Sequence, residues 1–410
     1  MSTARTLEYR NIPVEIYTQA KWFLGCKCSK RLLKSGARLL RAATEAAAAA
    51  GMSVRGGVYS NFRGAGATAL LVLAESHAAL HTWPERQMAV HLELSLCNLG
   101  RDNADRVSKL LASLEETFQA DEVRSSRPLE NAVVEYRRPG YGYFLIADRD
   151  WARQRSQYQF IHLFQNRSFG NVLCLDGLYQ TSDLDEWTYH ELLAQVPALL
   201  HRNPRQALVV GGGDGGAASH LLAHPTVQSC TLVEIDPAVV EVSRQWLEGV
   251  HRGVWDNARL SVVISDGKKY LQSTTRKYDL IIADLTDPIG AAKPLFNASF
   301  YRTVASALAP AGLFATHCGF PFSSPQGSRG VVEHLRAVFP FVHLFHGYIP
   351  LYGAEMLFAL CGMQEVRPNA RRIARRIAAR GLEPRLKGMN ADYLVGRFAL
   401  PTWMAAIVAG

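Results

Sequence analysis

Long hydrophobic runs are missing from this chain of 410 residues. Its most apolar stretches, such as residues 67–74, fall far short of the about 20 residues a membrane helix needs. No membrane span is expected. The opening residues, MSTARTLEYRNIPVEIY, have no apolar core behind a basic start and do not read as a signal peptide. Cysteine is sparse and odd in number, seven residues without repeated spacing, which excludes a scaffold built on paired disulfides. Cys26 and Cys28 form the one close pair, and no second pair or histidine cluster completes a zinc site. A metal-free protein in a reduced, cytoplasmic setting is expected.

Charge is present in excess, +9 at neutral pH, and this raises nucleic acid as a partner. The basic residues gather at 27–41 and 367–387. In the second segment Arg371, Arg372, Arg375, Arg376 and Arg380 alternate with Ile373, Ile377 and alanines, the spacing of an amphipathic helix with a basic solvent face. No aromatic residues interleave with these arginines, so a platform for stacking bases is absent. A solvated face is favoured and no nucleic-acid partner is expected.

Texture divides the chain. Residues 1–120 read as a small α+β domain: a strand at 14–17, a basic Ala-rich helix at 38–50 stopped by Gly51, strands at 54–59, 67–74 and 88–96, and a helix at 103–118. Residues 121–140 are polar and contain proline, and read as a linker. A short β-rich module follows at 141–200, with a helix over 185–200. From 201 to 410, near-continuous apolar strands (ALVVGGG, SCTLVEID, LSVVISDG, YDLIIADL, GLFATHC) alternate with helices. Strands apolar on both faces predict a doubly wound, Rossmann-like parallel sheet of the methyltransferase type. The fold class is therefore α/β, with an α+β domain and a β-rich module in front.

The first of these strands runs into Gly211-Gly212-Gly213-Asp214-Gly215-Gly216, which satisfies G-x-G-x-x-G at 211, 213 and 216. Glu234 closes the next strand, where an acid binds ribose hydroxyls. A dinucleotide is nevertheless disfavoured, because Asp214 would repel a pyrophosphate. A phosphate-free nucleoside with positive charge suits the loop better. An acid there also opposes the carboxylate of S-adenosylmethionine but pairs with a lone amine. This disfavours an ordinary methyltransferase and favours decarboxylated S-adenosylmethionine as co-substrate. Asp214 also suits a helix N-cap, and the two roles are compatible. Asp266 and Gly267 end a strand where adenine nitrogens could be read. Asp284-Leu285-Thr286-Asp287-Pro288 follows another, offering two acids three residues apart, one to take a proton from an amine and one to hold the chain.

These motifs, with Asp176-Gly177-Leu178-Tyr179-Gln180, Asp185-Glu186 and Tyr189-His190-Glu191, resemble the spermidine synthase family over roughly residues 140–400. The resemblance implies that Gln159, Gln180 and His190 line the cofactor and amine site. It implies that Asp214 holds the aminopropyl amine, Glu234 the ribose, and Asp266 with Gly267 the adenine. Asp284 would be the general base, with Tyr189, Asp287 and Tyr352 positioning the acceptor. Three departures lie at the acceptor end: Gly290-Ala291-Ala292 for the usual GPA, His317-Cys318-Gly319-Phe320 where a glutamine is frequent, and Leu351 and Gly353 around Tyr352 in place of Pro-Thr-Tyr-Pro.

The N-terminal string Glu75-Ser76-His77-Ala78-Ala79-Leu80-His81-Thr82-Trp83-Pro84-Glu85 is by spacing alone a weak nucleophile signal, and no G-x-S-x-G elbow is present. As a whole it resembles the self-processing site of prokaryotic S-adenosylmethionine decarboxylase, over roughly residues 50–118. The resemblance implies cleavage between Glu75 and Ser76, conversion of Ser76 into a pyruvoyl group that serves as electron sink, His81 in processing and Cys97 as proton donor. Thr68 stands where a serine is usual, and Glu93 where an aspartate is usual.

Together these readings predict a bifunctional polyamine enzyme. It would decarboxylate S-adenosylmethionine, then transfer aminopropyl to putrescine, releasing spermidine and methylthioadenosine. Another acceptor (agmatine, cadaverine or spermidine) and a pyruvoyl domain acting on ornithine or arginine remain alternatives. A non-catalytic polyamine or nucleoside sensor is a third. Small-molecule substrates and a homo-oligomer are expected.

Overall fold

Strand order and register explain how the site is assembled. The computed structural model describes residues 16–74, 76–97, 104–126, 131–138, 140–287 and 290–409. It divides into two units, Met1–Glu130 and Asn131–Gly410.

In the first unit the described residues form one antiparallel sheet of six strands: β1 (Ile16–Leu24), β2 (Val54–Asn61), β3 (Ala67–Leu73), β4 (Ser76–Trp83), β5 (Ala89–Cys97) and β6 (Glu122–Ser126). Their order is β2-β3-β4-β5-β1-β6. Alternation sends Leu71, Leu80, Leu92 and Leu94 to one face, where they pack with Leu39 and Ala43 of helix Gly36–Ala49 and Leu110 and Leu114 of helix Ala104–Phe118. The Ser35 hydroxyl caps the first helix by accepting the Arg38 N–H at 3.4 Å, and Gly51 at φ +76° follows its end. The α+β character expected from the sequence is present. Strand β4 is an addition: its inward Ala78, Leu80 and Thr82 give the period of two, but His77 and His81 break up its apolar signal.

The second unit opens with a hairpin of β7 (Ala132–Arg138) and β8 (Tyr141–Ile146). A four-stranded meander follows: β9 (Arg149–Arg155), β10 (Phe160–Asn166), β11 (Gly170–Leu175) and β12 (Leu178–Ser182). Residues 121–140, expected as a linker, thus hold β6 and β7, one in each unit. Strand β6 is exposed at Glu122, Val123 and Arg124, and β7 turns a charged Glu135 inward, so neither carries the apolar alternation of a covered strand.

The large sheet contains β13 (Gln206–Gly211), β14 (Ser229–Glu234), β15 (Leu260–Ile264), β16 (Tyr278–Asp284), β17 (Leu308–His317), β18 (Phe341–Ile349) and β19 (Ala354–Gly362). The order is β15-β14-β13-β16-β17-β19-β18. The first five are parallel, as expected, and helices cover both faces: Ala207 and Val209 face one core, Leu208 and Val210 the other. The last two strands extend the sheet beyond the five expected. β19 runs antiparallel to both β17 and β18, because the turn Pro350–Tyr352 is too short for a crossover helix.

The helix expected at 185–200 is present in three parts, with α-helical turns at Glu186–His190 and Val196–Leu200 flanking a π turn at Glu191–Gln195. Pro197 has no N–H to give to the ladder at this point. The basic helix spans Ala370–Ala379 and buries Ile373 and Ile377. Its arginines are not all solvated. Arg376 donates to the Leu199 and Leu200 carbonyls, and Arg380, only 8% exposed, donates to those of Ala198, His201 and Arg202. Two cations thereby satisfy the orphan carbonyls at the end of helix Val196–Leu200. No helix among the described residues is long and apolar enough to cross a membrane.

Candidate active site

Strand order reverses between β13 and β16, the first and fourth strands of the parallel set, and a crevice opens at the carboxyl ends there. The cleft has about 1090 Å³ of empty volume. Gly211, Gly213 and Asp214 after β13, Glu234 of β14, Asp266 and Gly267 after β15, and Asp284 of β16 all line it. Gln159, Gln180, Tyr189 and Tyr352 complete the wall. Asp287 lies in an adjoining chamber of about 300 Å³ that shares Gln180, Tyr189 and Tyr352 with the cleft. His190 sits buried behind the loop, against Asp214 of the loop and Asp284 of β16.

Parallel pairing sets Gly211 beside Asp284. Gly211 has φ +80°, and a Cβ there would stand 2.1 Å from the Asp284 carbonyl oxygen, so only glycine lets the loop turn at this point. Gly216, which starts the following helix, brings its backbone against His190; a Cβ would meet the ring at 2.2 Å.

His190 is the electrostatic centre. Its Nδ1 lies 2.9 Å from Glu186 Oε2, and its Nε2 lies 3.7 Å from both Asp214 Oδ1 and Asp284 Oδ2. Burial disfavours the imidazolium, but the surrounding carboxylates, Asp214 first, outweigh it and raise the pKa well above the usual value. Glu186 in turn meets His220 Nε2 at 3.1 Å and the Arg252 guanidinium. Two triads, Glu186–His190–His220 and His190–Asp214–Asp284, cluster like metal ligands. Both share His190, whose ring nitrogens face Glu186 on one side and Asp214 with Asp284 on the other.

Asp214 accepts the Gly216 N–H at 2.7 Å, but the N-cap position itself is held by Gly215, so the carboxylate stands one residue before the capping place expected for it. Burial pushes its carboxyl up to about 6, opposed by His190. Burial also pushes Glu234 up to about 7, although it accepts the Asp236 N–H at 2.9 Å. Asp266 caps helix Gly267–Ser273 by accepting the Lys269 N–H at 2.9 Å.

At Asp284 the two oxygens differ. The Tyr189 hydroxyl donates to Oδ1 at 2.9 Å, whereas buried Oδ2 has no hydrogen-bond partner among the described residues. The Tyr352 hydroxyl donates to the Gln180 carbonyl and its ring meets Tyr189 edge-on. His317, in place of the frequent glutamine, bonds the Leu285 carbonyl at 2.9 Å and joins the acceptor-side wall.

Glu186, Asp236 and Arg137 also belong to the site, although nothing in the local sequence assigns them a role there. The four-residue spacing of Glu186 to His190 is the one sequence signal for their pairing on a helix. Asp236 holds Gln159 at 2.9 Å and Ser156 at 2.6 Å, and it N-caps helix Pro237–Trp246.

The N-terminal residues gather less tightly. Ser76 opens β4 at φ +149°, a strained value for a residue with a Cβ, and its hydroxyl lies 3.1 Å from His77 Nδ1. It pairs with Leu96, so the backbone of Cys97 is one register step away. His81 is not beside it. Five residues along the strand, about 17 Å at ~3.4 Å per residue, His81 instead bonds Thr68 at 2.9 Å and faces His91. Glu75 lies outside the described residues.

Over 268 residues the chain is 34% identical to a polyamine aminopropyltransferase of Pseudomonas syringae pv. tomato, covering 65% of this chain and 93% of the relative. The chain belongs to the polyamine aminopropyltransferase family. The Nitrosomonas europaea aminopropyltransferase is 39% identical over 232 residues, 56% of this chain and 71% of its own. A spermidine synthase crystallised with the transition-state analogue AdoDATO superposes with TM-score 0.65 at 30% identity, covering 69% of this chain and 98% of that one. Residues 186–370 match the spermine/spermidine synthase domain, and 153–183 the spermidine synthase tetramerisation domain. Residues 25–127 match S-adenosylmethionine decarboxylase. This aminopropyltransferase is thus fused to a decarboxylase segment, a bifunctional enzyme of polyamine biosynthesis.

Proposed function

We propose that the second unit transfers aminopropyl from decarboxylated S-adenosylmethionine to putrescine, with Asp284 as general base. The observation that carries this is the place of Asp284 at the carboxyl end of β16, where it lines the donor cleft with its carboxylate held by the Tyr189 hydroxyl. An amine nucleophile is protonated at neutral pH and must lose a proton to attack. The Asp284 carboxylate accepts that proton while the nitrogen attacks the carbon beside the sulfonium. The carbon–sulfur bond breaks, its electron pair stays on sulfur, and methylthioadenosine leaves uncharged. Asp214 holds the aminopropyl ammonium, Glu234 the ribose hydroxyls, and Asp266 with Gly267 the adenine edge. Asp287, Tyr189 and Tyr352 place the acceptor. Fixed acids around a cationic donor and acceptor supply orientation and charge stabilisation together.

The first unit is proposed to cleave itself before Ser76 and to make the donor. The strained backbone at Ser76 supports this reading, since cleavage relieves the strain. Ser76 would carry the pyruvoyl group, whose carbonyl draws electrons from the substrate as carbon dioxide leaves. Cys97 lies one register step from Ser76's partner and is proposed as proton donor; Thr68 holds His81 in one ring orientation. The match to the tetramerisation domain supports a homo-oligomer built through the meander. Product analysis by mass spectrometry with S-adenosylmethionine and putrescine tests both halves. Spermidine and methylthioadenosine are the expected products; no methylthioadenosine from decarboxylated S-adenosylmethionine with any amine would overturn the transferase reading.

A further inference from the structure

Three chambers lie in series at the site. The donor cleft adjoins the acceptor chamber, and the acceptor chamber adjoins a third of about 730 Å³, reaching Ser324 and Val331 of the segment after β17. The second and third share Arg137, Leu178, Asp287 and Phe320. Arg137 has its side chain only 6% exposed. Its guanidinium reaches Glu135 at 2.6 Å and Asp287 at 3.5 Å, and lies 4.0 Å above the Phe320 ring and 5.6 Å from Tyr352. Its Nε has no hydrogen-bond partner among the described residues. Glu135 is itself fixed, accepting the Tyr179 N–H at 2.7 Å.

A cation held between two carboxylates and over an aromatic face is in the environment an ammonium of a polyamine would seek. We propose that Arg137 is the specificity gate of the acceptor site: a built-in cation that ends the acceptor chamber, restricts it to short diamines, and closes off a chamber able to take the tail of a longer polyamine. This rests on the aminopropyltransferase reading. A diamine reaches no further than Asp287. The additional ammonium of a triamine would need the place and the counter-charges that Arg137 already holds, and like charges there repel.

The test compares kcat/KM for putrescine and spermidine in the full chain, supplied with decarboxylated S-adenosylmethionine. Wild type is expected to favour putrescine. The double variant Arg137→Ala/Glu135→Gln, which avoids stranding the buried Glu135 charge, is expected to raise the spermidine-to-putrescine ratio at least about tenfold. Adding Ser324→Trp, from an exposed position on the third chamber, should bring the ratio back. An unchanged ratio in the double variant, or no reversal by Ser324→Trp, overturns the gate. A length series on wild type needs no mutant. Rates should fall sharply for diamines longer than cadaverine, and a level profile to long chains overturns the proposal. If putrescine itself yields no methylthioadenosine, the failure is that of the transferase reading instead.

Discussion

The Tyr189 hydroxyl and Asp284 Oδ1 are 2.9 Å apart on the wall of the donor cleft, and this single bond orients the carboxylate. Burial, with the Asp284 charge adding to it, raises the tyrosine pKa well above its usual value, so Tyr189 stays a donor through any physiological pH. Asp284→Asn should therefore lower kcat for transfer by about 10²-fold or more, while decarboxylation continues. Tyr189→Phe should cost less, about tenfold in kcat, because it loosens the base without removing it. Steady-state kinetics on both variants checks this; equal losses would show Tyr189 doing more than orienting.

Donor binding should follow the charge of Asp214. With its carboxyl at about 6, the pairing with the aminopropyl ammonium is complete above that pH and is lost as the group takes up a proton below it. KM for decarboxylated S-adenosylmethionine should rise as pH falls from 7 through 6. Asp214→Asn should raise KM throughout and flatten the profile. A variant profile with the wild-type bend would assign the titration to another group, with Glu234 at about 7 the first to examine.

Glu186 carries a stability prediction. Burial alone would raise its carboxyl, but hydrogen bonds from His190 and His220 outweigh burial and hold it well below the usual range near 4.5. A depressed carboxylate stabilises the fold above its unfolded value and loses that contribution as pH falls through the folded one. Acid unfolding below about pH 4.5 should thus be steeper in wild type than in Glu186→Gln. At neutral pH the variant should be less stable by about 3 kcal/mol, because Arg252 loses its buried counter-charge and His190 loses one of its three carboxylates. Urea unfolding across pH measures both.

Ser76→Ala should leave one intact chain on a denaturing gel, where wild type gives fragments 1–75 and 76–410. Its decarboxylase activity should vanish while transfer from supplied donor persists. An unprocessed wild-type chain that still decarboxylates would remove Ser76 from its proposed role.

Much of the second unit was legible because β13, β14 and β16 are apolar on both faces, and because acids at the ends of parallel strands converge by geometry. Strands β18 and β19 were not. Nothing in their composition distinguishes a hairpin from two more crossover strands, and only the short turn at Pro350–Tyr352 decides it. Strand β7 hid for a different reason: its inward residue is Glu135, affordable only beside Arg137, and a paired charge reads as solvent-facing. The same blindness made the basic helix look uniformly solvated, since carbonyl partners of Arg376 and Arg380 leave no trace in local spacing. In the site, the lining acids were legible residue by residue. The counter-ion network behind them required the fold.

The register of Gly211 with Asp284 has one further consequence. The donor loop and the base are aligned by backbone hydrogen bonds of adjacent strands, not by their side chains, so substitutions along β13 or β16 can alter packing while leaving that alignment in place. Inserting or deleting one residue in either strand is another matter: it would displace loop from base by about 3.3 Å and turn alternate side chains to the opposite core. Length in these two strands should therefore be far less free to drift than composition, and connections at the amino ends of the sheet should absorb the variation in length.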